Sequence, residues 1–158
     1  AAIEAARREL RTDAFPVLKP NEAMMEEAVG RARAAPGEGS VAVLSMFEPT
    51  LPSIVRELGA LGGPGLRVVP RFVPGALEAL RAGDEASCCA LIAEAAEAAV
   101  IQARQEGAAP ACVAFAMFSM ARARRAAEAR LGALEGGGPP VLTSPDSAVL
   151  RLRALLGA

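Results

Sequence analysis

The sequence predicts an α/β fold: a parallel four-stranded sheet flanked by helices. Three observations lead there. Short apolar runs alternate with longer segments of helical periodicity, in the order strand, helix, strand, helix, strand, helix, strand, helix. The first of them, Val41 to Met46, is unbroken rather than alternating, as in strands covered on both faces. Aromatic residues make up only 3% of a chain that is 53% hydrophobic, with no Trp or Tyr. Such a core must be built from Val, Leu, Ile, Ala and Met, which suits helices packed on a parallel sheet.

The elements follow in order. Residues 1–11 read as the end of a helix with no start, and Phe15-Pro16-Val17-Leu18 as a short extended piece. Asn21 is placed to cap a helix from Glu22 to about Ala34, with Glu22 suiting the helix dipole. Pro36-Gly37-Glu38-Gly39 closes it. Val41 to Met46 is the first strand of the repeat, and Thr50 to Leu61 its helix, with Pro52 tolerated in the first turn. Leu66 to Pro70 is the second strand, Pro70 marking its end or a sheet edge. Asp84 caps the longest helix, which runs to about Glu106. Cys88, Leu91, Ile92, Ala95, Ala96 and Ala99 share one of its faces. Ala111 to Ala116 is the third strand, and Ser119 opens a helix ending near Leu131. Val141 to Thr143 is the fourth strand, followed by a helix from Asp146 to Leu156. The organisation is therefore a front piece, 1–35, ahead of a βα-repeat domain, 36–158.

Composition excludes several functions. At 158 residues the chain fits one domain with a real core. A net charge of −1, with Lys19 the only lysine, gives no electrostatic case for nucleic acid or an anionic membrane. No apolar run reaches the roughly 20 residues of a membrane span, and the amino terminus lacks a secretory pattern. A cytoplasmic protein is the expectation. Histidine is absent, which removes imidazole catalysis. Three cysteines make an odd count that argues against a disulfide framework. The Gly-rich stretches at 37–39, 62–65 and 136–138 lack phosphate-cradling spacing. An acidic cluster of phospho-acceptor type, a Gly-x-Ser-x-Gly elbow and paired metal ligands are missing as well.

Chemistry in such a sheet belongs to the turns after the strands, where strand carboxyl ends meet helix amino ends. Thr50 can cap its helix or meet a ligand oxygen, and Glu48 beside it is a solvated loop residue or a general acid–base. After the third strand stand Met117, Phe118 and Ser119, with Ser119 a cap or a carboxylate contact. After the fourth stand Thr143, Ser144 and Asp146. Cys88 and Cys89, about 100° apart on a helix, cannot both serve one site and read as core. Cys112 falls at the far end of its strand and reads as core too.

Several segments resemble the aspartate/glutamate/hydantoin racemase superfamily. Phe15 to Val29 is similar to a strand reading "PVL" that leads into a Met-x-Glu-x-Ala-Val helix. Ser40 to Thr50 resembles the next strand and its Thr-bearing turn. Phe115 to Arg122 resembles a Leu-Ala-Gln-Ala-Ser-Met-Ala-Arg variant of the second active-site strand, and Pro140 to Pro145 the final strand and turn. The resemblance covers nearly the whole chain. It implies a flavodoxin/Rossmann-like lobe of a pseudo-twofold, two-lobed fold. It also implies an isomerase needing neither pyridoxal phosphate nor metal, in which one cysteine per lobe removes or returns a proton beside a carboxylate. Met117 matches the second-lobe cysteine, and a thioether carries no proton. Ala1 to Arg7 resembles the helix after the first-lobe cysteine, which would lie just before residue 1. On this resemblance the chain holds the second lobe with a remnant of the first. Thr50, Met117, Phe118, Ser119, Thr143 and Ser144 would contact a small carboxylate or amino-acid-like substrate, no residue would be the acid or base, and the exposed lobe surface would favour a homo-oligomer. Alternatives stay open: a non-catalytic carboxylate- or partner-binding module, a relative of malonate-type decarboxylases, or an unrelated module sharing the fold.

Overall fold

The computed structural model describes residues 19, 21–36 and 39–157, together with Ala5 and Glu9. The helix end expected at 1–11 otherwise lies outside the described residues, as do the extended piece at 15–18 and the tip of the turn at 37–38.

Four strands form one parallel sheet in the order β2-β1-β3-β4: β1 (Ser40–Ser45), β2 (Arg67–Phe72), β3 (Cys112–Phe115) and β4 (Val141–Thr143). The register pairs Val41 with Val68 on one side and Cys112 on the other, and Phe115 with Thr143. Every residue of β1 and β3 is buried, which explains their unbroken apolar character. Pro70 sits within β2. It is tolerated because β2 is an edge strand and half-exposed.

Alternate side chains point to opposite faces. Val41, Val43, Cys112, Ala114 and Leu142 meet α1 (Glu22–Ala34) and α2 (Leu51–Gly62) through Met24, Ala28, Val29, Ile54 and Leu58. Ala42, Leu44, Val113 and Phe115 meet the opposite layer of α3 (Ala76–Arg81), α4 (Glu85–Gln105) and α5 (Arg124–Gly132), through Ala76, Ile92, Ala96, Val100 and Leu131. Helix α1 therefore packs directly on the sheet. Gly39, just before β1, is required by close approach, since a Cβ there would collide with the Ala32 carbonyl.

Helix α4 is the centre of its layer. Asp84 caps it, accepting from the Ser87 amide at 3.0 Å. The Ser87 hydrogen bonds hold the Asp84 carboxyl below its usual range. By length and composition α4 could cross a membrane, but Cys88, Ile92, Ala96, Ala99, Val100 and Ala103 are buried on the sheet. Six-residue α3 has no counterpart in the sequence reading. It is too short to show periodicity, and it opens at Gly75 with φ 77°.

The last helix, α6 (Ser144–Leu156), is unusual. Ser144 and Ser147 are its buried residues, whereas Val149, Leu150, Leu152, Leu155 and Leu156 are exposed. Hydrogen bonds attach it to α1: the Ser147 hydroxyl donates to Glu27 at 2.9 Å, and Ser144 donates to Asn21. Asn21 was expected to cap α1. It occupies that position, but its side chain makes no cap bond because the amide oxygen accepts from Ser144.

Candidate functional site

Helix α2, which follows β1, lies on one face of the sheet, and α5, which follows β3, lies on the other. The two connections part between neighbouring strands, and in parallel sheets that parting leaves a crevice at the carboxyl edge. The candidate site is this edge. Topology brings the turns after β1, β3 and β4 to it side by side.

The β1 turn is closed on itself. Ser45 is fully buried, its hydroxyl accepting from the Phe47 amide at 3.1 Å and donating to the Phe47 carbonyl at 3.0 Å. Thr50 Oγ1 donates to the same carbonyl at 2.7 Å and lies 2.9 Å from Ser45 Oγ. Thr50 stands at the amino end of α2 but makes no side-chain cap bond. A short 3-10 segment, Glu48–Thr50, leads into the helix and turns the hydroxyl back toward Phe47. Glu48 is exposed.

The β3 turn is open. The Ala116 amide continues the ladder to the Leu44 carbonyl at 2.9 Å. Met117 is half-buried and extended, and Phe118 is exposed. A 3-10 segment, Phe118–Ala123, precedes α5, so Ser119 falls inside it and does not cap the helix as expected. Among the described residues the Ser119 hydroxyl has no hydrogen-bond partner; the Ser119 carbonyl accepts from Arg122 at 3.0 Å. The amides of Phe118 and Ser119 open the segment and have no acceptor within it.

The β4 turn is closed like the first. Thr143 is buried and caps α6. Its hydroxyl donates to Asp146 and accepts from the Asp146 amide at 3.4 Å. Arg124 completes the cluster, 2.9 Å from Asp146 and 2.8 Å from Glu128. The Thr143 hydrogen bond, with Arg124 beside it, holds the Asp146 carboxyl below its usual range. Asp146 is thus a bound anion and no proton carrier near neutrality. Ser144 is fully buried and turned to Asn21 and Met24 at the amino end of α1.

The thiols stand apart from the turns. Cys112 begins β3 at the opposite edge, and burial pushes its thiol up to about 12. Cys88 lies in the core, and Cys89 is half-buried beside it. Burial raises both. No described group of three or more Cys, Asp or Glu residues could hold a metal ion. A cavity of about 350 Å³ opens in the helical layer, between Asn21, Met25 and Glu26 of the α1 end and Glu57 and Leu61 of α2.

Of the hydroxyls the sequence marks, Ser119 alone is unengaged; Thr50, Thr143 and Ser144 serve the fold. Sequence reading passes over Ser45, which locks the first turn, and Phe47. The signal for Phe47 is a repeat: Met46-Phe47 follows β1 as Met117-Phe118 follows β3.

No protein-family model, curated protein or solved structure matches this chain.

Proposed function

We propose that this chain is a lobe of a cofactor-independent isomerase of the aspartate/glutamate/hydantoin racemase type, cytoplasmic, and that it holds the carboxylate of a small amino-acid-like acid at the β3 turn. The observation that carries this reading is the free Ser119 hydroxyl beside the opening amides of its 3-10 segment, at the parting of β1 and β3. A hydroxyl and unpaired opening amides are the kinds of donor a carboxylate oxygen takes, and in this reading the same donors would spread charge onto an enolate. The lobe itself moves no proton. Met117 stands at the turn with a thioether, and Asp146 is held as an anion by Thr143 and Arg124. Chemistry at the carbon therefore requires a group from outside this edge. In this reading the exposed leucines of α6 are the surface for homo-oligomer assembly.

Amide chemical shifts during titration with D- and L-glutamate and with a 5-substituted hydantoin test the binding. Shifts confined to 117–120, weakened about tenfold or more by Ser119→Ala, are expected. Shifts elsewhere, or indifference to Ser119→Ala, overturn the reading. In D2O the chain alone should leave the Cα–H of these compounds unexchanged; exchange that survives Glu48→Gln would refute the passive role.

The absence of any thiol at the described turns favours a second reading, a binding module with no chemistry. Introducing Met117→Cys separates the two. Cα exchange gained with that thiol supports the isomerase reading, and tight acid binding without any gain supports the module.

A further inference from the structure

We infer that α6 pairs antiparallel with α6 of a second copy of this chain, across a twofold axis at Leu152. The inference rests on the reading of α6 as the assembly surface and says how it assembles; it is independent of the carboxylate site.

Helix α6 is inverted for a helix serving its own core. Its inner side is polar: Ser144 donates to Asn21, Ser147 to Glu27, and Arg151 lies 4.0 Å from Glu26. From Val149 to Gly157 every residue is exposed. Two helical turns are marginal in water by themselves, because helices draw most of their stability from packing an apolar face. Val149, Leu152, Leu155 and Leu156 supply such a face. At 3.6 residues per turn they fall within about 120° of arc, and their exposure runs from 39% at Leu152 to 61% at Leu156.

Size and charge identify what covers it. The exposed parts of these four side chains amount to on the order of 400 Å², about half of what each partner brings to a standard interface. Their spacing is that of a seam along which two helices interlock. In an antiparallel pair Leu152 meets its own copy, while Val149 meets Leu155 and Leu156, so one stripe covers the other. The flank toward α1 carries both signs of charge, Arg151 and Glu26, each side chain about half exposed. A twofold axis keeps this flank on the same side of the seam in both copies and sets each guanidinium toward the partner's carboxylate. A surface of one sign would satisfy only one member of the pair.

Sedimentation equilibrium of the full chain from about 1 to 100 μM should show a reversible dimer. Leu152→Asp should weaken it at least about tenfold; the site is exposed, and circular dichroism confirms that the variant folds. Glu26→Arg should weaken it too, and adding Arg151→Glu should recover most of the loss. Leu150 lies on the far side of the helix from Leu152. Under mild oxidation Leu152→Cys should therefore give a disulfide-linked dimer and Leu150→Cys should not, with the parent protein as the blank. A dimer weakened by Leu152→Asp but linked through Leu150→Cys and not Leu152→Cys overturns the antiparallel pairing and leaves α6 as the assembly surface. A dimer indifferent to Leu152→Asp, or a monomer across the whole range, overturns both and leaves the carboxylate site standing.

Discussion

The turns after β1 and β3 begin alike and end differently. Each leaves a buried central strand through Met-Phe and enters a 3-10 segment. In the first, Ser45 sits below the pair and Thr50 above it, and their hydroxyls close around the Phe47 backbone. In the second, Ala116 takes the place of Ser45, and the one hydroxyl, Ser119, is left free. A polar group at a strand end is thus no evidence of a site until its hydrogen bonds are accounted for. With Ala116 in place of Ser, no described side chain closes on the Phe118 backbone, and the turn stays open.

The largest expected effect separates the two turns by stability. Ser45→Ala removes a buried hydroxyl that bonds the Phe47 amide, its carbonyl and Thr50, and should cost about 1–3 kcal/mol. Ser119→Ala should stay within about 0.5 kcal/mol. Urea unfolding of both variants measures the difference, and equal losses would erase the distinction between a closed and an open turn.

The β4 turn supplies a second closed case. Thr143→Ala removes a helix cap and should cost roughly 0.5–2 kcal/mol. Part of that cost depends on pH. The folded Asp146 carboxyl titrates below its unfolded value, so its contribution is present above the usual carboxylate pKa of about 4 and is lost as pH falls through the lower, folded value. The stability gap between the protein and Asp146→Asn should therefore be open at neutral pH and close in acid. A gap that widens on acidification would reverse the sign of the Asp146 interaction.

The two ends of β3 give the smallest effect, one of reactivity. Cys112 is buried with its thiol raised to about 12. A thiol introduced by Met117→Cys lies half-exposed at the open turn. At pH 8 iodoacetamide should modify the new thiol on the order of tenfold faster than Cys112 in the native fold. Equal rates would mean that the β3 turn is as sealed as the core.

Much of the fold was legible because it rests on periodicity. Strands β1, β3 and β4 and helices α1, α2 and α4 follow unbroken apolar runs or one-faced spacing, and β4 occupies the expected Val141–Thr143; α6 is signalled by its Ser-Pro-Asp start, while its apolar residues lie exposed. What escaped depends on contacts distant in sequence or on elements too short to repeat. Asn21 looks like a cap until Ser144, 123 residues away, claims its oxygen. Thr50 and Ser119 stand where caps stand, but 3-10 segments displace them. The edge that gathers the candidate residues was readable from the βα order. The state of each hydroxyl at that edge was not, since no local pattern reveals which oxygen is spoken for.

The attachment of α6 has a dynamic consequence. A helix docked through serines covers little of the hydrophobic interior, so releasing it uncovers few core atoms. Its opening is governed by a handful of hydrogen bonds, while the sheet and α4 answer to the whole core. Amide protons of the last two turns should therefore exchange with solvent well before those of β1, and the domain can shed its final segment while the remainder stays folded.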